Sequence, residues 1–155
     1  MGAYDNIESA NSEGRFPFIN TPGRHVCAIV GWKLRPTRKH GEADFCDFKV
    51  LKSDTLEVGS HHTRMRTFKN PDAASMALAE VKQRAIAAFN AKGIPSATVT
   101  GDMMKKIVDN DGGVLKGAVI VLEIGEQVAT KGGQQFTPIT YFVPTARELE
   151  GVDLG

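Results

Sequence analysis

Arg64 and Arg66, with His62 in the same register, form the first constellation in the chain that could hold a ligand. Side chains alternate along an extended segment, so residues at i, i+2 and i+4 share a face. A row of cations on one strand face suits a run of phosphates. Arg35, Arg38, Lys39 and His40 concentrate further charge in a short polar stretch, and Lys131 stands in a glycine-rich turn. Flat rings that bases could stack on are Trp32, Phe45, Tyr141 and Phe136. Phe45 alternates with Phe48 and Val50 and shares parity with Asp47 and Lys49, which predicts a ring on a polar face. Trp32 shares parity with Val26, Ala28 and Val30 and reads as core unless a bulge at Gly31 reverses it. Tyr141 goes with Ile139 and Val143. Cations along the backbone and rings under the bases are what single-strand binding without sequence preference requires. The plainer reading stands beside this one: most arginines and lysines are solvated surface charge, and most aromatics fill cores.

Other chemistries find little support. His61 and His62 are adjacent, so a strand points them to opposite faces, and no HExxH or Cys/His cluster accompanies them. No metal site and no cofactor are expected. There is no phosphate-binding P-loop, no GxSxG elbow and no dinucleotide fingerprint, and parity separates Asp44 from Asp47. The sequence predicts no catalytic residues and no enzyme. Cys27 and Cys46 lack disulfide or zinc spacing and sit in apolar segments, where a thiol behaves as a small hydrophobe.

The elements that must position these residues read as follows. Residues 1–23 form a loosely ordered arm, docking through Phe16, Phe18 and Ile19. Strands are predicted over Arg24–Leu34, Ala43–Leu51 and Gly59–Phe68. Asn70-Pro71 then opens a helix with Ala74, Leu78, Val81, Ala85 and Phe89 at helical spacing, closed by Lys92-Gly93. A weaker helix, Asp102–Val108, ends at the turn residues Asn110-Asp111-Gly112-Gly113. Leu115–Val128 reads as one long curved strand and Gln135–Pro144 as the last strand, before an acidic tail from Thr145 to Gly155. Three strands, a helix and two strands match a mainly β fold, the five-stranded oligonucleotide-binding (OB) antiparallel barrel with its helix between strands 3 and 4. The expected organisation is an arm (1–23), one barrel domain (24–144) and the tail (145–155).

Composition agrees with a single small domain. The chain has 155 residues, 41% hydrophobic and 24% charged, and a net charge of only +1. That charge is unevenly spread: Arg24 to Lys69 holds ten Lys/Arg against five Asp/Glu, whereas residues 70–155 hold eight against ten. A local excess is the electrostatic footprint of a nucleic-acid binder. No apolar run reaches the roughly 20 residues of a membrane span, and the N-terminus lacks a secretory pattern. The expected home is the cytoplasm, that of the host if the protein is viral, with no membrane partner.

Two segments carry a resemblance. GRHVCAIVGWKLRPTRKHGEADFCDFKVLKSD (residues 23–54) resembles the opening of bacteriophage OB-fold single-stranded DNA-binding proteins: a Gly, a strand, a basic-polar loop, then an aromatic-rich strand ending in Val-Leu. GAVIVLEIGEQVATKGGQQFTPITYF (residues 117–142) resembles their final hairpin. The resemblance implies a protein that coats exposed single strands, DNA favoured, during replication and recombination, without catalysis. It implies a ligand face on strands two and three and their loops. The tail, Arg147 to Gly155, lacks the terminal phenylalanine with which many bacterial single-strand binders recruit replication or recombination proteins. A homo-oligomer through strand edges is compatible with the sequence. The rival expectation is a protein-interaction module on the same barrel, such as a phage assembly component or an inhibitor of a host enzyme.

Overall fold

A computed structural model describes residues 16–39, 41–69, 71–95, 98–129, 133 and 135–152. Its centre is a five-stranded antiparallel sheet in the order β3-β2-β1-β4-β7. The strands are β1 (Gly23–Thr37), β2 (Gly41–Lys52), β3 (His61–Thr67), β4 (Val119–Ile124) and β7 (Ile139–Phe142). A separate two-stranded ribbon pairs β5 (Val128–Ala129) with β6 (Gln135–Phe136). The predicted long strand is therefore divided into a 3₁₀ turn (Gly113–Leu115), β4 and β5, and the predicted last strand is divided into β6 and β7.

The sheet is open, and the expected OB-type barrel is not formed. Two local causes keep it open. The chain segment before β1 takes the free edge of β3: the Ile19 N–H donates to the Thr63 carbonyl, and the Thr63 N–H donates to the Pro17 carbonyl, both at 2.9 Å. The final segment breaks at Pro138, which has no N–H for a ladder. Residues before it pair with β5, and those after it pair with β4. Where a barrel would join β3 to the last strand, the Arg64 guanidinium instead donates to the Thr137 carbonyl at 2.9 Å.

A 21-residue helix, α1 (Pro71–Ala91), crosses one face of the sheet. It ends at Gly93, whose φ of +71° is accessible to glycine without strain, with the Ile94 N–H returning to the Phe89 carbonyl. The expected cap Asn70 lies outside the described residues. The expected apolar stripe holds at Val81, Ala85 and Phe89 and fails at Leu78, which is 58% exposed; the other buried positions are Ala77, Glu80, Arg84, Ala87 and Ala88. Alanine supplies eight of the 21 residues and favours helix without marking a face, so the buried stripe is set by packing. A shorter helix, α2 (Gly101–Asp109), is capped by Thr100, whose hydroxyl accepts the Met103 N–H at 3.2 Å.

The core lies between α1 and the inner sheet face of Cys27, Ile29, Trp32, Phe48, Ile120 and Leu122. Register explains how Trp32 joins it. The β1–β2 ladder steps from Ile29↔Phe48 to Gly31↔Asp47, a bulge that reverses parity and turns Trp32 to the side of Cys27 and Ile29. Gly31 has little room to be otherwise: a Cβ there would stand 2.9 Å from Asp111 Oδ1. Cys27 and Cys46 are buried and unbonded to each other, and burial pushes the Cys27 thiol up to about 12.

Candidate nucleic-acid interface

Arg64 and Arg66 do share a face of β3 with His62, but it is the inner face. Arg64 lies opposite Cys46, and His62 lies opposite Phe48, both core residues. Helix α1 meets them with a carboxylate. Arg64 donates to Glu80 through Nε at 3.0 Å and through an NH2 group at 2.7 Å, a forked pair. Arg66 Nε stands 3.5 Å from the same carboxylate and has no hydrogen-bond partner among the described residues.

The network continues inward. Arg84, one turn along α1, donates to Glu80 at 3.2 Å and to Asp44 of β2 at 2.7 Å. The Trp32 indole N–H donates to the other Asp44 oxygen at 2.6 Å, and the Tyr141 hydroxyl donates to Glu80 at 2.9 Å. Rings stack against the cations: Arg84 lies 4.8 Å from the Trp32 ring centre and 5.1 Å from that of Tyr141, and Arg66 lies 4.9 Å from Phe136.

Charge balance fixes the electrostatics of this cluster. Burial alone would raise the Glu80 carboxyl, but the hydrogen bonds and charges of Arg64 and Arg84 outweigh it and hold Glu80 below its usual range. Burial alone would lower Arg84, yet Tyr141, Asp44 and Glu80 hold its guanidinium well above its usual range. Burial also lowers Arg66 and raises the Tyr141 phenol. Three guanidiniums thus share two carboxylates beneath a helix. Such a cluster locks α1 to the sheet and offers little to a polyanion outside.

The remaining candidates are dispersed. Trp32 and Tyr141 are core residues, and Phe45 is only 5% exposed, so none of the three presents a ring to a base. His62 is half-buried, with Nε2 3.0 Å from the Ser60 hydroxyl. Burial, followed by the neighbouring His25 and His61, lowers its pKa. Arg35 is half-exposed on β1, and Arg38 and Lys39 are exposed at the β1–β2 turn. His40 and Lys131 lie outside the described residues. The acidic tail folds back as far as it is described. Glu148 takes a forked pair from Arg24 at 3.1–3.2 Å, and Lys52 reaches the Arg147 and Glu150 carbonyls at 3.5 Å.

One cation that sequence reasoning passed over, Lys33, emerges on the outer sheet face beside the predicted Arg35 and the polar-face Lys49. Lys33 lies across from Phe45, Arg35 across from Ala43, and Lys49 across from Ala28, all on the side away from α1. Their parity was available in the sequence, but only with the bulge placed correctly. Asp47 on the same face is tied to the Thr63 hydroxyl, and Asp111 stands 3.7 Å from Lys33. The exposed rings are also unexpected ones: Phe18 is 50% exposed, Phe142 is 38% exposed, and Phe16 stacks on His61 with centres 4.9 Å apart.

Among the described residues no three His, Cys, Asp or Glu side chains gather as metal ligands would, and no helix is long and apolar enough to cross a membrane. Fold and site together define an open antiparallel sheet backed by one long helix and bearing a basic hairpin. No protein-family model matches the sequence, and no curated protein matches it at a significant level.

Proposed function

We propose that this protein binds single-stranded nucleic acid, DNA by preference, without sequence selectivity or catalysis, through the outer side of the β1–β2 hairpin. Such binding would serve strands exposed in replication or recombination. The observation that supports this reading is the hairpin's charge. It sets Lys33, Arg35 and Lys49 on one face, with Arg38 and Lys39 at the turn and Lys52 at the far end. Asp44, the hairpin's buried carboxylate, is neutralised internally by Arg84. Phosphate contact would supply most of the affinity, because the expected stacking rings are buried.

A labelled oligo-dT titrated at several salt concentrations tests it. Engagement of about four phosphates gives a slope of log affinity against log salt of about −2.8, so affinity falls roughly 50-fold between 50 and 200 mM. Arg35→Glu with Lys49→Glu flattens that slope and weakens binding at low salt. Unchanged affinity in the double variant, or a flat salt response in the parent, sinks the proposal and leaves the protein-interaction reading.

A further inference from the structure

A cleft of about 1120 Å³ opens between the β1–β2 turn, the end of β3 and the two helices. Its walls are aliphatic: Leu34, Leu78, Val81, Val99, Met104 and Val108, with Phe68 the one ring among the described lining residues. It is an open groove whose inner end reaches Val81 and Asp44, both more than nine-tenths buried, while Leu78 on its wall is 58% exposed. Asp44 adds no free charge there, being held by Arg84 and Trp32. Around the walls stand Lys39, Lys69, Lys82 and Lys105, drawn from the hairpin turn, the end of β3, α1 and α2. None of these four has an ion-pair partner among the described residues, whereas Arg24, Lys33, Arg64, Arg66, Arg84 and Lys116 all do. Glu42 and Asp109 are the other carboxylates at the cleft, leaving a surplus of two positive charges.

We infer that this cleft binds a soluble single-chain amphiphile, an aliphatic chain ending in a carboxylate or phosphate, one molecule per protein. Small-molecule sites are concave and mostly apolar, with a few charged groups that fix orientation, and this volume lies somewhat above their usual range of roughly 300–1,000 Å³. A flexible hydrocarbon chain fits walls of leucine, valine and methionine. A nucleobase prefers flat π faces, and Phe68 alone supplies one. The four lysines, each from a different part of the chain, supply the positive charge that a headgroup would meet at this cleft, and their long apolar stems extend the walls. This site is separate from the hairpin's outer face and does not rest on the nucleic-acid reading.

Titration with cis-parinaric acid, a fatty acid that fluoresces in apolar surroundings, tests the inference on the whole chain. Saturable binding at one molecule per protein is expected, with the methyl ester of the same chain at least about tenfold weaker. Lys82→Glu with Lys105→Glu, both exposed and away from the core, should weaken the acid about tenfold and leave the ester unchanged. Leu78→Glu should weaken both, with an unaltered circular dichroism spectrum. Equal binding of acid and ester, or no saturation, overturns the inference. Displacement of the probe by oligo-dT or by an acidic amphipathic peptide, but not by decyl phosphate, assigns the cleft to a macromolecule and overturns it equally. Failure here with a normal oligo-dT salt slope leaves the proposed function standing, and the reverse result leaves this site standing.

Discussion

Glu80→Gln is the sharpest perturbation of this fold, because one carboxylate answers three arginines. It accepts two hydrogen bonds from Arg64, one from Arg84 and one from Tyr141, and faces Arg66 at 3.5 Å. Glutamine keeps the shape and removes the charge. The buried cluster then holds three guanidiniums against Asp44 alone. Breaking a buried pair by neutralising one partner costs about 3–5 kcal/mol, since the surviving charge is left uncompensated. Against a typical total of about 5–15 kcal/mol, that is a large fraction of the stability. The melting temperature should fall on the order of 10 °C for a chain of this size. Urea unfolding followed by fluorescence measures it cleanly, because Trp32 is the single tryptophan and sits in the same cluster. Lys82→Ala, on the exposed side of α1, should change stability by less than about 0.5 kcal/mol and serves as the control.

The pH response gives a second, independent reading of the same residue. The folded Glu80 carboxyl lies below its ordinary value of 4.5, so its contribution is complete above about pH 4.5 and is lost as pH falls through the folded value. The gap between the parent and Glu80→Gln should therefore be widest at neutral pH and close in acid. A gap under about 1 kcal/mol at pH 7 would refute the claim that this network holds the helix to the sheet. So would a gap that stays constant from neutral pH to pH 3.

Three further outcomes follow from the geometry. Gly31→Ala should destabilise by about 1–3 kcal/mol, read by urea unfolding, because its Cβ would press on Asp111 Oδ1 and disturb the bulge that aims Trp32 inward. Thr100→Ala should cost about 0.5–2 kcal/mol by removing the cap of α2, and should weaken cis-parinaric acid binding more than oligo-dT binding. Cys27 and Cys46 should react with a thiol reagent only as fast as the protein opens, since both are buried and burial raises both thiols. Rapid labelling of either in the native protein would contradict that placement.

Much of the local structure was legible. Alternation located β1, β2 and β3, and Pro71 and Gly93 bracketed α1 within two residues. Barrel closure was not legible, because it depends on competition for the free edge of β3. A sequence of strands gives their order, but not which segment wins that edge. Here residues 17–19 win it, and Pro138 removes the last strand from contention. The same limit governed Arg64 and Arg66. Parity placed them correctly on one face and left open which face was inside, and the high cost of burying charge argued for outside. The counter-evidence lay in α1, where Glu80 and Arg84 stand at i, i+4 on the stripe of Ala77, Ala85 and Ala88. Buried charges on a helix demand partners on the surface it covers, so that pair predicts cations and carboxylates on the facing strands. Counting formal charge along a segment therefore overstates what a ligand meets: two of the ten cations between Arg24 and Lys69 are consumed inside the fold. On the opposite side of the same hairpin Lys33, Arg35 and Lys49 face away from α1, and it is on that side, with Lys33 already 3.7 Å from Asp111, that the proposed polyanion contact has to be tested.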